Sequence, residues 1–335
     1  MYKAVTLGIA LIGCALHGTA LLSQGQDPPR PGVKTPGVKI PIERLKPDAV
    51  FEVGGNPDWL AVEESVWVSN KPKDNVSRFD PKTNKVGATI DLGSGKRPCS
   101  GLAAGFGSLW VPNCGDKTIS QIDLKTGAVK ATMSTSIGNS EGSIATGAGS
   151  VWIMADARGT LLRIDPATLK VVAEIYLPRG SYGLAFGEDA VWVTSSEGDS
   201  VSRVDPNTNL VAETISVGKK PRFIAVGAGA VWALNQGDGT VSRIDPKTNK
   251  VAATIEVGVP GGGGDIAVGE GSVWVTSFEF PLSRIDPSTN KVVQQFYGKG
   301  GDAIRVGLGS VWLSNLEAGN VWRIDPKRVE ATLPD

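Results

Sequence analysis

"RFIAVGAGAVWALNQGDGTVSRIDPKTNKVAATIEV", residues 222–257, decides the fold. Four apolar segments inside it, "RFIAV", "AVWALN", "TVSRIDP" and "KVAATIEV", are bounded by Gly, Asn, Asp and Pro, and read as four short β-strands joined by turns. Alternation in "VWAL" and "SRID" sends side chains to both faces of the sheet, as stacking between two neighbouring sheets requires. The same phrase recurs along the chain. Its tryptophan stands at Trp67, Trp110, Trp152, Trp192, Trp232, Trp274 and Trp312, at intervals of 43, 42, 40, 40, 42 and 38. An Arg-Ile-Asp-Pro-like phrase follows each one: Arg78 to Pro81, the variant Gln121 to Leu124, Arg163 to Pro166, Arg203 to Pro206, Arg243 to Pro246, Arg284 to Pro287 and Arg323 to Pro326. A period near forty without helical periodicity predicts radial blades. The expected architecture is all-β, a seven-bladed β-propeller of four-stranded antiparallel blades over residues 48–335.

What every repeat shares serves what every blade needs. The tryptophans are therefore read as wedges between blades rather than as a ring of ligand-stacking aromatics. Gly-x-Gly at Gly105/Gly107, Gly147/Gly149, Gly227/Gly229, Gly269/Gly271 and Gly307/Gly309 joins strand to strand, so it is a tight hairpin and not a dinucleotide cradle. Asp-Pro-x-Thr-Asn-Lys reads as the turn between third and fourth strands. It lacks the alternating carboxylates of a calcium loop. "AVFEVG" (49–54) is an outermost strand without a blade of its own, expected to complete the blade of Trp312, and "RVEATL" (328–333) reads as a shortened outermost strand.

The N-terminus reads as an export signal, residues 1–25: Lys3, an apolar run from Ala4 to Leu22, then polar residues, with cleavage after Ala20 or Gly25. Leu11-Ile12-Gly13-Cys14 also resembles a lipobox that would lipidate Cys14, although the apolar run continues past it. Residues 26–47 are Pro-rich and aperiodic, an expected linker or stalk. These features place the folded part outside the cytoplasm, periplasmic or extracellular, with no membrane span in the mature chain and a monomer as the expected state. The 34 basic and 34 acidic residues cancel, which argues against a nucleic-acid partner.

The phrases "VWVTS" and "VSRIDPKTNKVAATIEVG" and their relatives resemble the YVTN-type propeller repeats, and more specifically the seven-bladed propellers grouped with virginiamycin B lyase, over residues 49–333. The resemblance implies either a binding propeller or a lyase that opens a cyclic peptide antibiotic using histidine and a magnesium ion on one face of the ring. This chain departs from the lyase pattern: its one histidine is His17, inside the predicted signal. That removes a histidine base and a histidine-ligated metal from the mature domain. Cys99 and Cys114 flank the first hairpin of the second blade, and 99 and 114 have the same sum as 105 and 108, so they face each other across it. Opposed residues in such a ladder lie about 4.5–5.5 Å apart, within disulfide reach.

Function is sought where the repeats disagree, at the starts of the innermost strands around one mouth of the channel. Asp58, Ser100, Glu141, Tyr182, Arg222, Asp265 and Asp302 stand there. Asp58, Asp265 and Asp302, from consecutive blades, are expected to hold a hard cation, Mg²⁺ or Ca²⁺, through oxygen ligands. Lys96, Arg97, Arg179, Lys219, Lys220 and Arg222 make a basic half that could receive an anionic group, and Asn70, Asn113, Asn235 and Asn315 could add neutral polar contacts. "VPGGGG" (259–264) reads as a slack connection or a close-approach loop. Two functions follow. The favoured one is a scaffold that binds a small molecule, glycan, peptide or protein partner at the mouth. The alternative is a metal-dependent lyase or lactone hydrolase.

Overall fold

A computed structural model describes residues 30–99, 101–138 and 141–334; the stretch read as an export signal, with Cys14 and His17, and Ser100 lie outside them. The quoted repeat folds as read: Pro221–Gly227, Ala230–Asn235, Thr240–Asp245 and Lys250–Glu256 pair in that order into one antiparallel sheet. Seven such blades, numbered here by their tryptophans from Trp67 to Trp312, form the ring, and the innermost strand of blade seven packs against that of blade one. Blade seven takes its fourth strand from the other end of the chain, Ala49–Glu52, with Phe51 opposite Val321. That closure was expected. "RVEATL" is corrected: Pro326–Ala331 is a helix, started by Asp325, which accepts the Lys327 N–H at 2.9 Å, and by Pro at its first turn. With the outer position already filled by Ala49–Glu52, no ladder was left for it to join.

The repeated residues build the seams between blades. All seven tryptophans of the repeat are at most 1% exposed, and in blades two to seven the indole N–H donates to a Gly carbonyl of its own hairpin, 3.0–3.2 Å away. In blades one, three, four, five and seven the Arg of the Arg-Ile-Asp-Pro phrase lies over that indole and reaches the next blade. Arg243, 5.2 Å from the Trp232 ring centre, donates to the Pro287 carbonyl and to Asn290, both at 2.9 Å. Arg163 reaches Pro206 and Asn209 in the same way, and Arg323 reaches Pro81 and Asn84, which ties blade seven to blade one. Asn is suited to receive this bond because it tolerates the left-handed conformation, φ 56° at Asn290. Where blade two carries Gln121 instead of Arg, blade three carries Leu169 instead of Asn, and Gln121 bonds within its own blade to Ser108.

Residues 30–47 differ from the extended stalk read from the sequence. Lys39–Pro41 adds a fifth, parallel strand to blade six, and Val33, Val38, Ile40, Ile42 and Leu45 are buried. Gln295 anchors this strap, accepting from Val33 N–H at 2.6 Å and donating to the Val257 carbonyl at 2.9 Å. Among the described residues no helix is long and apolar enough to cross a membrane.

Candidate functional site at the channel mouth

Two residues close the channel just below the mouth. Trp59 of blade one and Phe223 of blade five are not ring neighbours, yet their rings meet across the axis at 5.9 Å. Gly142 of blade three completes the contact: a Cβ there would stand 3.4 Å from Phe223 and 3.5 Å from Trp59. A cavity of about 280 Å³ lies among the innermost strands, walled by Ala104, Ala145, Ala185 and Ala225. The mouth is therefore a cup with an aromatic floor.

Three carboxylates surround this cup in different states. Asp58, 4% exposed, is bridged by Lys71 Nζ at 2.8 Å; burial pushes its carboxyl up against the pull of that lysine. Lys71 is itself raised, the carboxylates Asp58, Glu141 and Asp302 outweighing the effect of its burial. Glu141 receives Arg222 Nη2 at 2.5 Å, and the Arg222 guanidinium lies 5.2 Å from the Tyr182 ring centre. Asp302 is the exposed nerve of the group. Its carboxyl has no ion pair or hydrogen bond among the described residues, and burial, with the fields of Asp58, Glu141 and Asp265, pushes it up to about 8.

Asp265 does not join them. Strand pairing puts it one residue deeper, level with Trp59 and Phe223, where it is 3% exposed. Its Oδ1 accepts from Ile266 N–H at 2.8 Å, and its Oδ2 accepts from Ile304 N–H at 3.1 Å and from Arg305. Burial raises its pKa against Arg305 and those two N–H groups. The expected three-aspartate cation site is thus not gathered: Asp58 is bound to Lys71 and Asp265 to Arg305, and no group of three His, Cys, Asp or Glu among the described residues is disposed to hold a metal.

The expected split into acidic and basic halves is corrected too. Lys96 pairs with Asp116 at 2.6 Å, Lys219 with Asp199 at 2.7 Å and Arg179 with Glu197 at 3.9 Å, while Lys71 sits among the acids. Asn113, Asn235 and Asn315 are occupied within their own blades. They are 0–3% exposed, and their side-chain amides pin the second strand to the third, as in the Asn235 bonds to Thr240 and Ser242, both 2.9 Å. Cys99 and Cys114 form the expected disulfide, Cα atoms 5.7 Å apart. The register differs from the one read: Pro98 opposes Asn113 while Ala103 opposes Trp110, so the cysteines are diagonal neighbours.

Tyr182 and Arg222 also line a cavity of about 460 Å³ with Lys220, Gln236 and the Pro260–Gly262 part of the glycine loop. That loop is held open from behind by Arg30 of the strap, whose Nε donates to the Pro260 carbonyl at 2.7 Å and whose Nη2 donates to Gly262. Four residues at this site were missed from sequence. Arg305 was readable: "AIRVG" (303–307) has Arg where "FIAVG", "DIAVG", "GLAFG", "SIATG" and "GLAAG" have Ala. Trp59 and Phe223 were readable as bulk where Gly101, Ser143, Gly183 and Ala303 are small. Lys71 carried no signal of this kind.

The fold and the floored cup define a seven-bladed propeller with a candidate ligand site at one end of its channel. Among the solved structures it resembles are a streptogramin B lyase, 19% identical with TM-score 0.71 over 82% of this chain and 95% of that one; a catalytically inactive virginiamycin B lyase from Staphylococcus aureus with quinupristin, 17% identical, TM-score 0.69 over 82% and 98%; and selenomethionine-substituted virginiamycin B lyase from the same organism, 18% identical, TM-score 0.69 over 82% and 97%. At that identity the likeness is one of fold, a virginiamycin B lyase-like seven-bladed propeller. No protein-family model matches the chain, and no curated protein does.

Proposed function

We propose that this chain is an exported propeller that binds a small molecule, peptide or glycan on its channel-mouth face. One observation carries the reading: the Tyr182–Arg222 cavity is joined through Glu141 to an Asp302 carboxyl that has no partner among the described residues. Lys220 and Arg222 offer positive charge to an acceptor or anionic group, and Asp302 offers a site for a donor or ammonium group of the same ligand. A ligand screen by thermal unfolding of the full chain tests this, because a ligand at 100 times its Kd adds about 2.7 kcal/mol. Hits should lose at least about tenfold in affinity in Arg222→Ala and in Asp302→Asn. Hits indifferent to both substitutions would sink the mouth as the binding site.

A second reading, a lyase or lactone hydrolase, rests on Asp302. A carboxyl raised to about 8 exchanges its proton near neutrality, the task a histidine performs in lyases of this fold. Asp302 would take the proton, with Arg222 and Tyr182 facing the negative charge that develops. The Mg²⁺ or Ca²⁺ expected from the sequence has no matching donor set among the described residues once Asp58 and Asp265 are paired. On this reading turnover of cyclic depsipeptides or lactones persists in chelator and disappears in Asp302→Asn.

A further inference from the structure

A second cavity of about 730 Å³ opens on the same face between blades one and two, separate from the Tyr182–Arg222 cavity. One wall is the Lys71-Pro72-Lys73 turn leaving the second strand of blade one. The other is Arg97-Pro98-Cys99, stapled by the disulfide, with Lys117 beside it. Four cationic side chains line the space and no carboxylate does.

The neighbouring acids are committed elsewhere. Asp74 accepts the backbone N–H groups of Gly95 at 2.7 Å and Arg97 at 2.6 Å; Asp116 takes Lys96 and the Thr118 hydroxyl; Asp58 takes Lys71 on the channel side. The Lys73 and Arg97 side chains make no ion pair or hydrogen bond among the described residues, and the Lys117 ammonium has only the Ile137 carbonyl, at 3.1 Å. Positive charge is therefore left over in a concave space floored by two prolines and a disulfide, a geometry that concentrates the field.

We propose that this cavity binds a multiply charged anion built of tetrahedral groups, a phosphate ester or a saccharide carrying several sulfates. One carboxylate would neutralise a quarter of the charge that lines it, whereas tetrahedral polyanions present the fork of acceptors that a guanidinium matches. Lys71 is shared: it pairs with Asp58 in the channel and lines the cavity outside it, so an anion there competes with Asp58 for the same ammonium. The site does not depend on the reading of the Tyr182–Arg222 cavity.

The test is calorimetric titration of the full chain with inorganic pyrophosphate and with a polysulfated disaccharide, at about 50 mM salt. At least one should bind saturably, and the double variant Lys73→Ala/Arg97→Ala should weaken it by about tenfold or more. The control Lys247→Ala/Lys250→Ala, which removes two exposed lysines from the outer turn of blade five, should change it less than about twofold. Binding of pyrophosphate alone assigns the ligand to phosphate esters, and of the disaccharide alone to sulfated glycans; either upholds the site. No saturation by about 10 mM, or equal weakening by both double variants, overturns it.

Discussion

Two populations of aspartate divide this molecule. In the turns between third and fourth strands, Asp80, Asp123, Asp165, Asp205 and Asp245 accept backbone N–H groups two or three residues ahead, and those bonds hold each carboxyl below its usual range. At the mouth, Asp58, Asp265 and Asp302 are pushed the other way, by burial first. The turns repeat because each blade needs one; the mouth residues come once each, on single blades. The two sets also act oppositely on stability. Lowered turn carboxyls stabilise the fold above their unfolded pKa, about 3.9, and that stability is lost as pH falls. Raised mouth carboxyls give stability that is complete below about 3.9 and is lost as pH climbs, for Asp302 up to about 8. The fold should accordingly be most stable on the acid side of neutrality.

Asp265 should show the largest effect, because it is buried against Arg305, which stands where the other six blades carry Ala. Asp265→Ala strands Arg305 next to the Trp59 ring, 5.6 Å from its centre, and should cost about 2–3 kcal/mol in a denaturant titration at pH 7. Arg305→Ala restores the alanine that the other six blades carry at this level. The double variant should therefore be more stable than Asp265→Ala alone. If the two losses simply add, the pair is not the unit described here.

Asp302 comes next. Asp302→Asn removes the carboxyl that must ionise among Asp58, Glu141 and Asp265, so the variant should exceed the wild type by about 2 kcal/mol at pH 9 and match it near pH 4. Unfolding midpoints across that range decide it. A wild-type stability that stays level from pH 5 to pH 9 would remove the uncompensated carboxylate from the account.

How much of this was legible in the sequence follows the same division. Trp232, Arg243 and the Asp245-Pro246 turn are repeated, so their roles could be read from the period, down to the closing strand at Ala49–Glu52. The mouth residues are single, and the side chains that face Asp265 and Glu141 come from other blades. Aligning "DIAVG" with "AIRVG" sets Asp265 level with Ala303, one residue deeper than Asp302, so its depth was legible; its partner Arg305, on the next blade, was settled only by the packing of the two strands. Lys71 could not be found at all, since nothing in blade one announces that its lysine will turn toward Asp58. The strap was hidden by its prolines, although "KVVQQF" (291–296) did differ from the other outermost strands, where Gln294, Gln295 and Phe296 are now covered.

The smallest effect tests the outer population. Asp245 Oδ1 accepts Lys247 N–H at 2.8 Å and Thr248 N–H at 3.4 Å, in a turn that Arg203 of blade four grips through Asn249 at 3.2 Å. Asp245→Asn keeps an acceptor oxygen for both N–H groups and removes only the charge. It should leave the melting temperature at pH 7 nearly unchanged and shift the acid limb, below about pH 4, so that stability is retained to lower pH than in the wild type. Asp245→Ala, which removes the acceptor as well, should lower the melting temperature at pH 7 and also weaken the grip of blade four on blade five. Should both variants behave alike, the charge rather than the turn would be what the repeat keeps, and the outer aspartates would differ from those of the mouth in degree alone.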